Sequence, residues 1–321
     1  MKKRTRLGLA IASMALVLVA GAAALLAPYG MAEAARWVDR HAVVDPKTPR
    51  LAAGRMVDDY FSVQAIGPGV YAIGEPRYYQ QNYAYLIVGA NRALLFDAGT
   101  GTRDIRPIVA GLTHLPLTVM VSHLHFDHLG GAPAFGAIAM IDLPSTRADV
   151  AADGTFTPGR WQWLGQADGR AAPTVRVSQW IKPDASIDLG GRVVRVLSTP
   201  GHTPSSISLY DPAGHALFSG DFIYPTTLYA FLPGASLSAY QATARRLLTQ
   251  LPADTVHWGA HCCRAGEAPS APWLTMADLA DLDRALTEVR AGRAPGTGFY
   301  PIRRPVNRQM TLATGFPWNN R

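Results

Sequence analysis

A short run of metal-ligand side chains after an apolar segment constrains this chain more than any other feature. The run covers residues 121–131 and reads VSHLHFDHLGG. It places three of the chain's nine histidines within six positions. Because the run follows a predicted strand, its ligands are expected at the carboxyl edge of a sheet, where open α/β folds place their sites.

The spacing within the run predicts two neighbouring ligand groups. His123 and His125 are two residues apart in extended chain, so their side chains point the same way and can hold one ion. Asp127 and His128 follow on the next turn and are placed to face a second ion. Imidazole and carboxylate groups suit zinc, iron or manganese. The residues therefore predict a metal site and leave the metal open.

Three later fragments each place one more ligand-type side chain just after a predicted strand. These are His202 in STPGHT, Asp221 in FSGD and His261 in WGAH. Each lies in a glycine-containing turn, which lets backbone approach a ligand closely. With the earlier run, five of the nine histidines fall in such turns. That pattern is hard to attribute to ordinary polar loop residues.

Taken together, these motifs resemble those of the metallo-β-lactamase-fold hydrolase superfamily over roughly residues 70–291. The motifs are LFDAGT at 95–100, the histidine run, PGH at 200–202, SGD at 219–221 and GAH at 259–261. The resemblance implies an α/β fold, a four-layer αββα sandwich with a dinuclear site along one sheet edge. Glyoxalase II and the quorum-quenching lactonases keep the same ligand types, and the sequence is similar to that branch.

The resemblance also implies how the ligands divide. One ion would be held by His123, His125 and His202. The other would be held by Asp127, His128 and His261, and Asp221 would bridge the two ions. Asp97 matches the superfamily's buried aspartate and is expected to orient ligands rather than bind metal. Two Zn²⁺ per chain are the expected cofactors, with iron or manganese as alternatives, because the same ligands accept them.

Such a site would perform hydrolysis without a serine or cysteine nucleophile. Two cations about 3.5–4 Å apart hold a bridging water and lower its pKa towards ~7, which supplies hydroxide for attack on a carbonyl. Asp127 is expected to carry a proton to the leaving group. Tyr224 stands three residues after the bridging aspartate, as in the lactonases. It either donates to the developing oxyanion or only packs beside the site.

The ligand set does not select a substrate. β-Lactam specialists usually carry cysteine or serine where this chain has Asp221. Glyoxalase II enzymes append a helical glutathione-binding domain, whereas only 60 residues follow His261 here. The expected function is hydrolysis of a small ester, lactone or thioester. A β-lactam hydrolase and a non-catalytic metal-binding envelope protein are the alternatives.

The N-terminus has the order of an export signal. A basic start is followed by an apolar run over residues 7–27 and then by small residues up to 35. The apolar run is also long enough to span a bilayer. Residues 1–34 are therefore predicted to be a signal peptide, or an inner-membrane anchor through residues 7–27. Either places the protein in the periplasm or outside the cell, with a linker over 35–64 and the hydrolase domain over 65–321.

The chain's charge of +7 does not indicate a nucleic-acid partner. Four positive charges and one negative charge lie within residues 1–34, so the remainder carries +4. No basic cluster of the kind that binds polyanions stands out in that remainder. A small-molecule substrate is the expected partner, and the sequence does not predict an oligomeric state.

Alternating and periodic apolar residues predict nine strands and three helices. The strands are 70–73, 83–88, 93–97, 118–121, 137–141, 192–198, 206–210, 216–219 and 255–258, and the helices are 103–112, 236–251 and 275–291. Residues 143–190 show weak periodicity around three tryptophans. They are predicted to be a functional loop or lid, or else an ordinary surface excursion.

Two further groups stand apart from these elements. Cys262 and Cys263 directly follow the last ligand and are interpreted as buried thiols, as an oxidisable pair or as a soft metal ligand. Arg303, Arg304 and Arg308 near the C-terminus either form a solvated surface or hold an acidic group of the substrate.

Overall fold

The computed structural model describes residues 49–316, apart from 166–168 and 265, and a few isolated earlier positions (22, 26, 30, 44, 45 and 47). Apart from three of those positions, the predicted signal or anchor over residues 1–34 lies outside the described residues. It stays a prediction. Among the helices that are described, none combines the length and apolar character needed to cross a bilayer.

Nine strands form the first sheet: β1 Arg55–Met56, β2 Ser62–Gly67, β3 Val70–Gly74, β4 Tyr83–Val88, β5 Ala93–Phe96, β6 Leu117–Met120, β7 Ala137–Ile141, β8 Thr155–Phe156 and β9 Val175–Ile181. Their order is β1-β2-β3-β4-β5-β6-β7-β9-β8. Strands β5, β6, β7 and β9 run parallel, and the other neighbours are antiparallel. The sheet is therefore mixed.

Six strands form the second sheet: β10 Ser186–Asp188, β11 Val193–Ser198, β12 Ile207–Asp211, β13 Ala216–Gly220, β15 Val256–Gly259 and β16 Trp273–Leu274. Their order is β10-β11-β12-β13-β15-β16. A third, smaller sheet contains β14 Thr226–Ala230, β17 Ile302–Pro305 and β18 Met310–Thr314, in the order β14-β18-β17.

Two long α-helices, four short ones and one 3₁₀ helix complete the described elements: α1 Arg106–Leu112, α2 Phe126–Leu129, the 3₁₀ helix Ala132–Phe135, α3 Pro144–Ala148, α4 Arg160–Trp163, α5 Leu237–Gln250 and α6 Met276–Arg290. The side chain of Ser236 accepts a hydrogen bond from the Ala239 backbone at the start of α5. Thr275 and Asp278 form a capping box at the start of α6. These caps satisfy backbone donors that a helix start otherwise leaves unpaired.

Three apolar clusters show how the layers stack. In β5, Ala93 and Leu95 face one cluster whereas Leu94 and Phe96 face another, so both faces of the first sheet are buried. The cluster containing Phe96 joins the two large sheets, and the other packs α1 against the first sheet. A third cluster packs α5 and α6 on the second sheet. The expected αββα sandwich is confirmed.

The nine predicted strands and three predicted helices are confirmed, with every strand bound within one residue. Helix α1 begins three residues later than predicted because Pro107 occupies its first turn. The boundary expected at residue 65 falls inside β2. Tyr60 and Phe61, placed in the predicted linker, are each only 1% exposed. These buried rings belong to the folded domain, which therefore starts before residue 65.

The prediction of a long loop over residues 143–190 is wrong for much of its length. The segment contains α3, β8, α4, β9 and β10. Strand β9 extends the first sheet beside β7, and it buries Val175 and Val177 while exposing Arg176 and Ser178. This alternation is present in the sequence, but it was obscured by flanking glycine, proline and tryptophan residues. The segment is mainly a sheet edge.

Candidate metal centre

The histidine run forms a tight turn directly after strand β6 of the first sheet. His123 and His125 lie in this turn, and Asp127 and His128 lie in the single helical turn α2. A Cβ atom on Gly130 would stand 2.1 Å from the carbonyl oxygen of Thr100. A larger residue there would push the run away from the loop after β5, so glycine permits the close approach.

The remaining ligand candidates follow strands of the second sheet. His202 lies in the turn after β11, Asp221 directly follows β13, and His261 lies two residues after β15. Strands β11 and β13 are each antiparallel to β12, and β13 is parallel to β15. All three strands therefore run in one direction, and their carboxyl ends meet at one sheet edge.

The structure brings the seven predicted side chains together at that edge. Two of the groups it forms have ligand atoms within 4.8 Å of one another: His123, His125 and His202; and Asp127, His128 and His261. These are the two sets that the family resemblance implies. All seven side chains are buried, and none is more than 7% exposed.

In the first group, three ring nitrogens converge. Nδ1 of His125 lies 2.9 Å from Nε2 of His123 and 3.0 Å from Nε2 of His202. In the second group, Oδ2 of Asp127 lies 3.5 Å from Nε2 of His128 and 3.4 Å from Nε2 of His261. Each group thus directs its ligand atoms towards a common point.

Asp221 lies between the two groups. Its Oδ2 is 3.5 Å from Nε2 of His202, and its Oδ1 is 3.0 Å from Nε2 of His261 and 3.3 Å from Nε2 of His128. The carboxylate therefore reaches both groups, as a bridging ligand must.

Unpaired buried atoms indicate that this cluster suits cations. Among the described residues, Nε2 of His128 and Oδ1 of Asp221 are buried without a hydrogen-bond partner, although they lie 3.3 Å apart. Leaving such atoms unpaired costs about 1–3 kcal/mol each. Nitrogen and carboxylate donors that face one another in this way match the donor set of a divalent transition metal.

Asp97 occupies the position expected of an orienting residue. Its Oδ2 lies 2.8 Å from Nδ1 of His128, and its Oδ1 accepts a hydrogen bond of 2.6 Å from the Ser122 backbone. Its backbone is in the left-handed region, with φ of 66°. The carboxylate fixes the ring of His128 from behind and leaves Nε2 directed into the cluster.

Backbone carbonyls orient two further histidines. Nδ1 of His202 lies 2.7 Å from the carbonyl oxygen of Tyr229, and Nδ1 of His261 lies 3.2 Å from that of Gln80. Because a carbonyl only accepts, each ring donates through Nδ1 and presents the lone pair of Nε2. No sequence pattern predicts these contacts, since every residue has a carbonyl.

Burial and charge divide the cluster into neutral and charged groups. Burial, and next the neighbouring histidines, lower the pKa of His123 and His125 well below 6.5, so both rings are neutral. Burial opposes the charge of His128, but the carboxylates of Asp127, Asp97 and Asp221 together outweigh it and raise the pKa of that ring. Burial alone would raise the pKa of Asp221, but nearby histidines hold it well below 3.8. Asp221 is therefore ionised.

A cavity of about 370 Å³ opens onto this cluster. Asp127, Asp221 and three of the histidines contribute to its lining, as do Tyr229 and Phe231 from the strand β14 and its C-terminal end. Cavities of this size accommodate small organic ligands. The cluster thus combines buried ligand atoms with access for a substrate.

Tyr224 lines the cavity, but its hydroxyl is committed elsewhere. The hydroxyl donates a 2.7 Å hydrogen bond to the carbonyl oxygen of Thr227, and the ring packs edge-on at 5.0 Å from the ring of His261. Burial, and next the charge of Asp221, raise the pKa of Tyr224 well above 10, so the phenol is neutral. This geometry does not support the expected oxyanion role; it supports packing beside the site.

Replacing Tyr224 with phenylalanine is therefore expected to change kcat/KM by no more than about threefold. The ring that packs on His261 remains, and only the hydrogen bond to the Thr227 carbonyl is lost. Steady-state kinetics on the purified variant measure the effect. A fall in kcat of about 10²-fold with unchanged KM would instead assign the phenol to oxyanion stabilisation.

The sulfur atoms of Cys262 and Cys263 face each other, and both side chains line the cavity. This proximity agrees with the interpretation as an oxidisable pair. Neither cysteine belongs to a ligand group among the described residues.

Comparisons with known proteins agree with this site. A family model described as the metallo-beta-lactamase superfamily matches residues 77–261, which include all seven candidate ligands. The acyl-coenzyme A thioesterase MBLAC2 of Gallus gallus is 31% identical over 211 residues, covering 59% of this chain and 76% of that protein. A hydroxyacylglutathione hydrolase of Brucella anthropi is 26% identical over 207 residues, covering 64% and 70%.

Among solved structures, a metallo-beta-lactamase from Pontibacter korlensis aligns with a TM-score of 0.52. It is 18% identical and covers 71% of this chain and 99% of its own length. A likeness at that identity shows the fold alone.

Proposed function

The chain belongs to the metallo-beta-lactamase superfamily and is a metal-dependent hydrolase, and on that premise we propose that it hydrolyses acyl thioesters of small carrier molecules. The observation that carries the proposal is the position of Asp221 between two three-residue ligand groups beneath an open cavity. The likeness to an acyl-coenzyme A thioesterase and to a hydroxyacylglutathione hydrolase supports the choice of a thioester.

In this proposal, the seven clustered side chains hold two divalent ions, with zinc as the first choice. Ions in such a site lower the pKa of a water ligand to about 7 and polarise a substrate carbonyl. The protein's part is to keep His123 and His125 neutral, to keep Asp221 ionised and to fix the rings of His128, His202 and His261 by their outer nitrogens.

Asp127 is proposed to receive a proton and pass it to the leaving group. It lines the cavity, and its Oδ2 lies 3.4 Å from Nε2 of His261. Among the described lining residues, every carboxylate and imidazole is also a candidate ligand. Among the described lining residues, Asp127 is therefore the carboxylate placed for this role.

The chemistry of the leaving group favours a thioester over an amide or β-lactam. A thiolate is a stable leaving group because ordinary thiols have a pKa of about 8.5. An amine leaving group must be protonated as it departs, which requires a positioned acid. Hydrolysis of a thioester therefore depends less on a proton donor in this cavity than hydrolysis of an amide or β-lactam does.

Export is a further part of the proposal. The basic, apolar and small-residue order of residues 1–34 supports a signal peptide or an inner-membrane anchor, which would place the enzyme in the periplasm or outside the cell. Fractionation of expressing cells, followed by N-terminal sequencing, tests this. Recovery of the full-length chain in the cytoplasm would contradict it.

A substrate panel tests the function. The purified chain is offered an acyl thioester, a lactone and a chromogenic cephalosporin at equal concentration. We expect kcat/KM for the thioester to exceed the others by at least about tenfold. Turnover should disappear with a chelator and return with Zn²⁺. Preference for the cephalosporin, or thioester turnover that survives full metal removal, would overturn the proposal.

A further inference from the structure

We propose that the third sheet and the segment before it carry a binding surface for the apolar acyl chain of the substrate. This surface, the aromatic wall, consists of Tyr229, Phe231, Tyr300 and Phe299. The inference rests on the proposed function, because it names the substrate class within the thioesters.

The wall begins inside the catalytic cavity. Tyr229 in β14 and Phe231 just after that strand both line the cavity that contains the ligand cluster. They are two residues apart, so in extended chain their side chains share one face. The carbonyl of Tyr229 also contacts Nδ1 of His202 at 2.7 Å. One short stretch of chain therefore orients a candidate metal ligand and presents aromatic rings beside it.

The rings continue outward from the cavity without a break. The ring centres of Tyr229 and Phe231 are 5.8 Å apart, and those of Phe231 and Tyr300 are 5.7 Å apart. Phe316 lies 5.1 Å from Tyr300 and 5.5 Å from Phe299. These spacings lie within the range of favourable aromatic contacts. Together they form a path from the ligand cluster to the surface.

Both ends of this path are open to a ligand, and Phe231 between them is buried. Tyr229 at the cavity is 40% exposed and Phe299 at the outer end is 84% exposed, whereas Phe231 is 8% exposed. Apolar surface that continues from a ligand cavity is typical of a binding site. Exposed rings on either side of a buried one suit a flexible chain that enters the cavity from outside.

The chemistry of the wall distinguishes the acyl chain from the leaving group. The four side chains carry no formal charge at neutral pH. Arg303 pairs with Ala313, itself the partner of Tyr229, so its backbone lies two strands away, about 10 Å. Its charge acts on the hydroxyl end of Tyr229 and not on the three other rings named in the wall. Carrier thiols such as pantetheine are polar amides, so the acyl group is the part of a thioester that matches an uncharged aromatic surface.

Half of this surface lies beyond the family match. The family match ends at residue 261, whereas Phe299, Tyr300 and the strands β17 and β18 lie beyond it. Strand β14 pairs with β18 in parallel register, so the wall depends on residues from both sides of that limit. Membership of the superfamily does not imply this site.

Chain-length kinetics test the wall. Pantetheine thioesters of acetate, hexanoate and decanoate are compared, and wild-type kcat/KM is expected to rise by at least about tenfold from acetyl to decanoyl. That rise is well below the roughly fourfold per methylene that full burial would give. Phe231→Ala and Tyr229→Ala are each expected to lower the decanoyl-to-acetyl ratio of kcat/KM by about tenfold.

Two further variants keep the test interpretable. Phe299→Ala alters a ring that is 84% exposed, so it does not threaten folding, and it should lower the decanoyl-to-hexanoyl ratio. Trp273→Ala is the matched control, because Trp273 is 56% exposed and does not line the cavity. Its ratios should equal those of the wild type. Equal ratios in all of the wall variants would overturn the inference.

A binding measurement separates this inference from the proposed function. Ketone analogues, in which a methylene replaces the thioester sulfur, are titrated calorimetrically at the same three chain lengths. Tighter binding of the decanoyl analogue, lost in Phe231→Ala, supports the wall even if no thioester is hydrolysed. Hydrolysis without any chain-length preference, or analogue binding that is independent of length, overturns the wall and leaves the thioesterase proposal standing.

Discussion

Asparagine in place of Asp221 is expected to lower kcat/KM by about 10³-fold or more, together with a loss of bound metal. The carboxylate oxygens lie 3.0 Å from Nε2 of His261 and 3.5 Å from Nε2 of His202, so this one side chain reaches both ligand groups. Asparagine keeps the volume but removes the charge and directs an amide at nitrogen atoms that should face a cation. Steady-state kinetics and elemental analysis of the purified variant measure both effects.

The matched control is Asp254→Asn. Asp254 pairs with His215 on the surface, and its side chain is 68% exposed, so its removal should leave turnover and metal content unchanged. Thermal unfolding of both variants checks that each is folded. Full metal content together with turnover within about threefold of wild type in Asp221→Asn would contradict the bridging assignment.

Metal removal is expected to have the second large effect, on stability as well as on turnover. A ligand that binds only the folded state at a thousandfold excess over its Kd stabilises the protein by about 4 kcal/mol. For a domain of this size, the loss of one such ion lowers Tm by about 10 °C. Dialysis against a chelator, followed by calorimetry and a turnover assay, measures the change. Adding Zn²⁺ should restore both values.

The Asp221→Asn protein provides the control for that experiment. If it has already lost its metal, the chelator should change its Tm little. A wild-type protein whose Tm and turnover both survive chelation would show that the buried histidine cluster is structural. That result would remove the basis of the hydrolase mechanism.

The sequence predicted the two large sheets better than the elements around them. Strands such as β4 and β5 are continuous apolar runs bounded by turn residues, and this local signal is strong. All three strands of the third sheet, β14, β17 and β18, were missed. In the large sheets the missed strands lie towards the edges: β1, β2, β8, β9, β10 and β16. Residues such as Arg303, Arg304 and Pro305 in β17 give no apolar alternation, because that strand is held by its pairing with β18. Pairing between distant segments has no local signature.

Some features of the site were likewise predictable from the sequence and others were not. The ligand types were readable, because five of the nine histidines fall in glycine-containing turns after predicted strands. The role of Asp97 followed from its motif. The motif did not predict which ring Asp97 contacts; the structure shows its Oδ2 2.8 Å from Nδ1 of His128. Tyr224 lies at the expected position, but its hydroxyl donates a hydrogen bond to the Thr227 carbonyl oxygen. The spacing of residues in the sequence does not predict that contact.

The sequence by itself determined which atoms are available for chemistry and at which strand ends they stand, because both follow from residue type and local alternation. Only the tertiary structure decided which backbone carbonyls orient His202 and His261, that the sulfur atoms of Cys262 and Cys263 face each other, and that the rings of Tyr229 and Phe231 line the cavity. These features arise where segments distant in the chain meet, and such contacts depend on the packing of the whole domain.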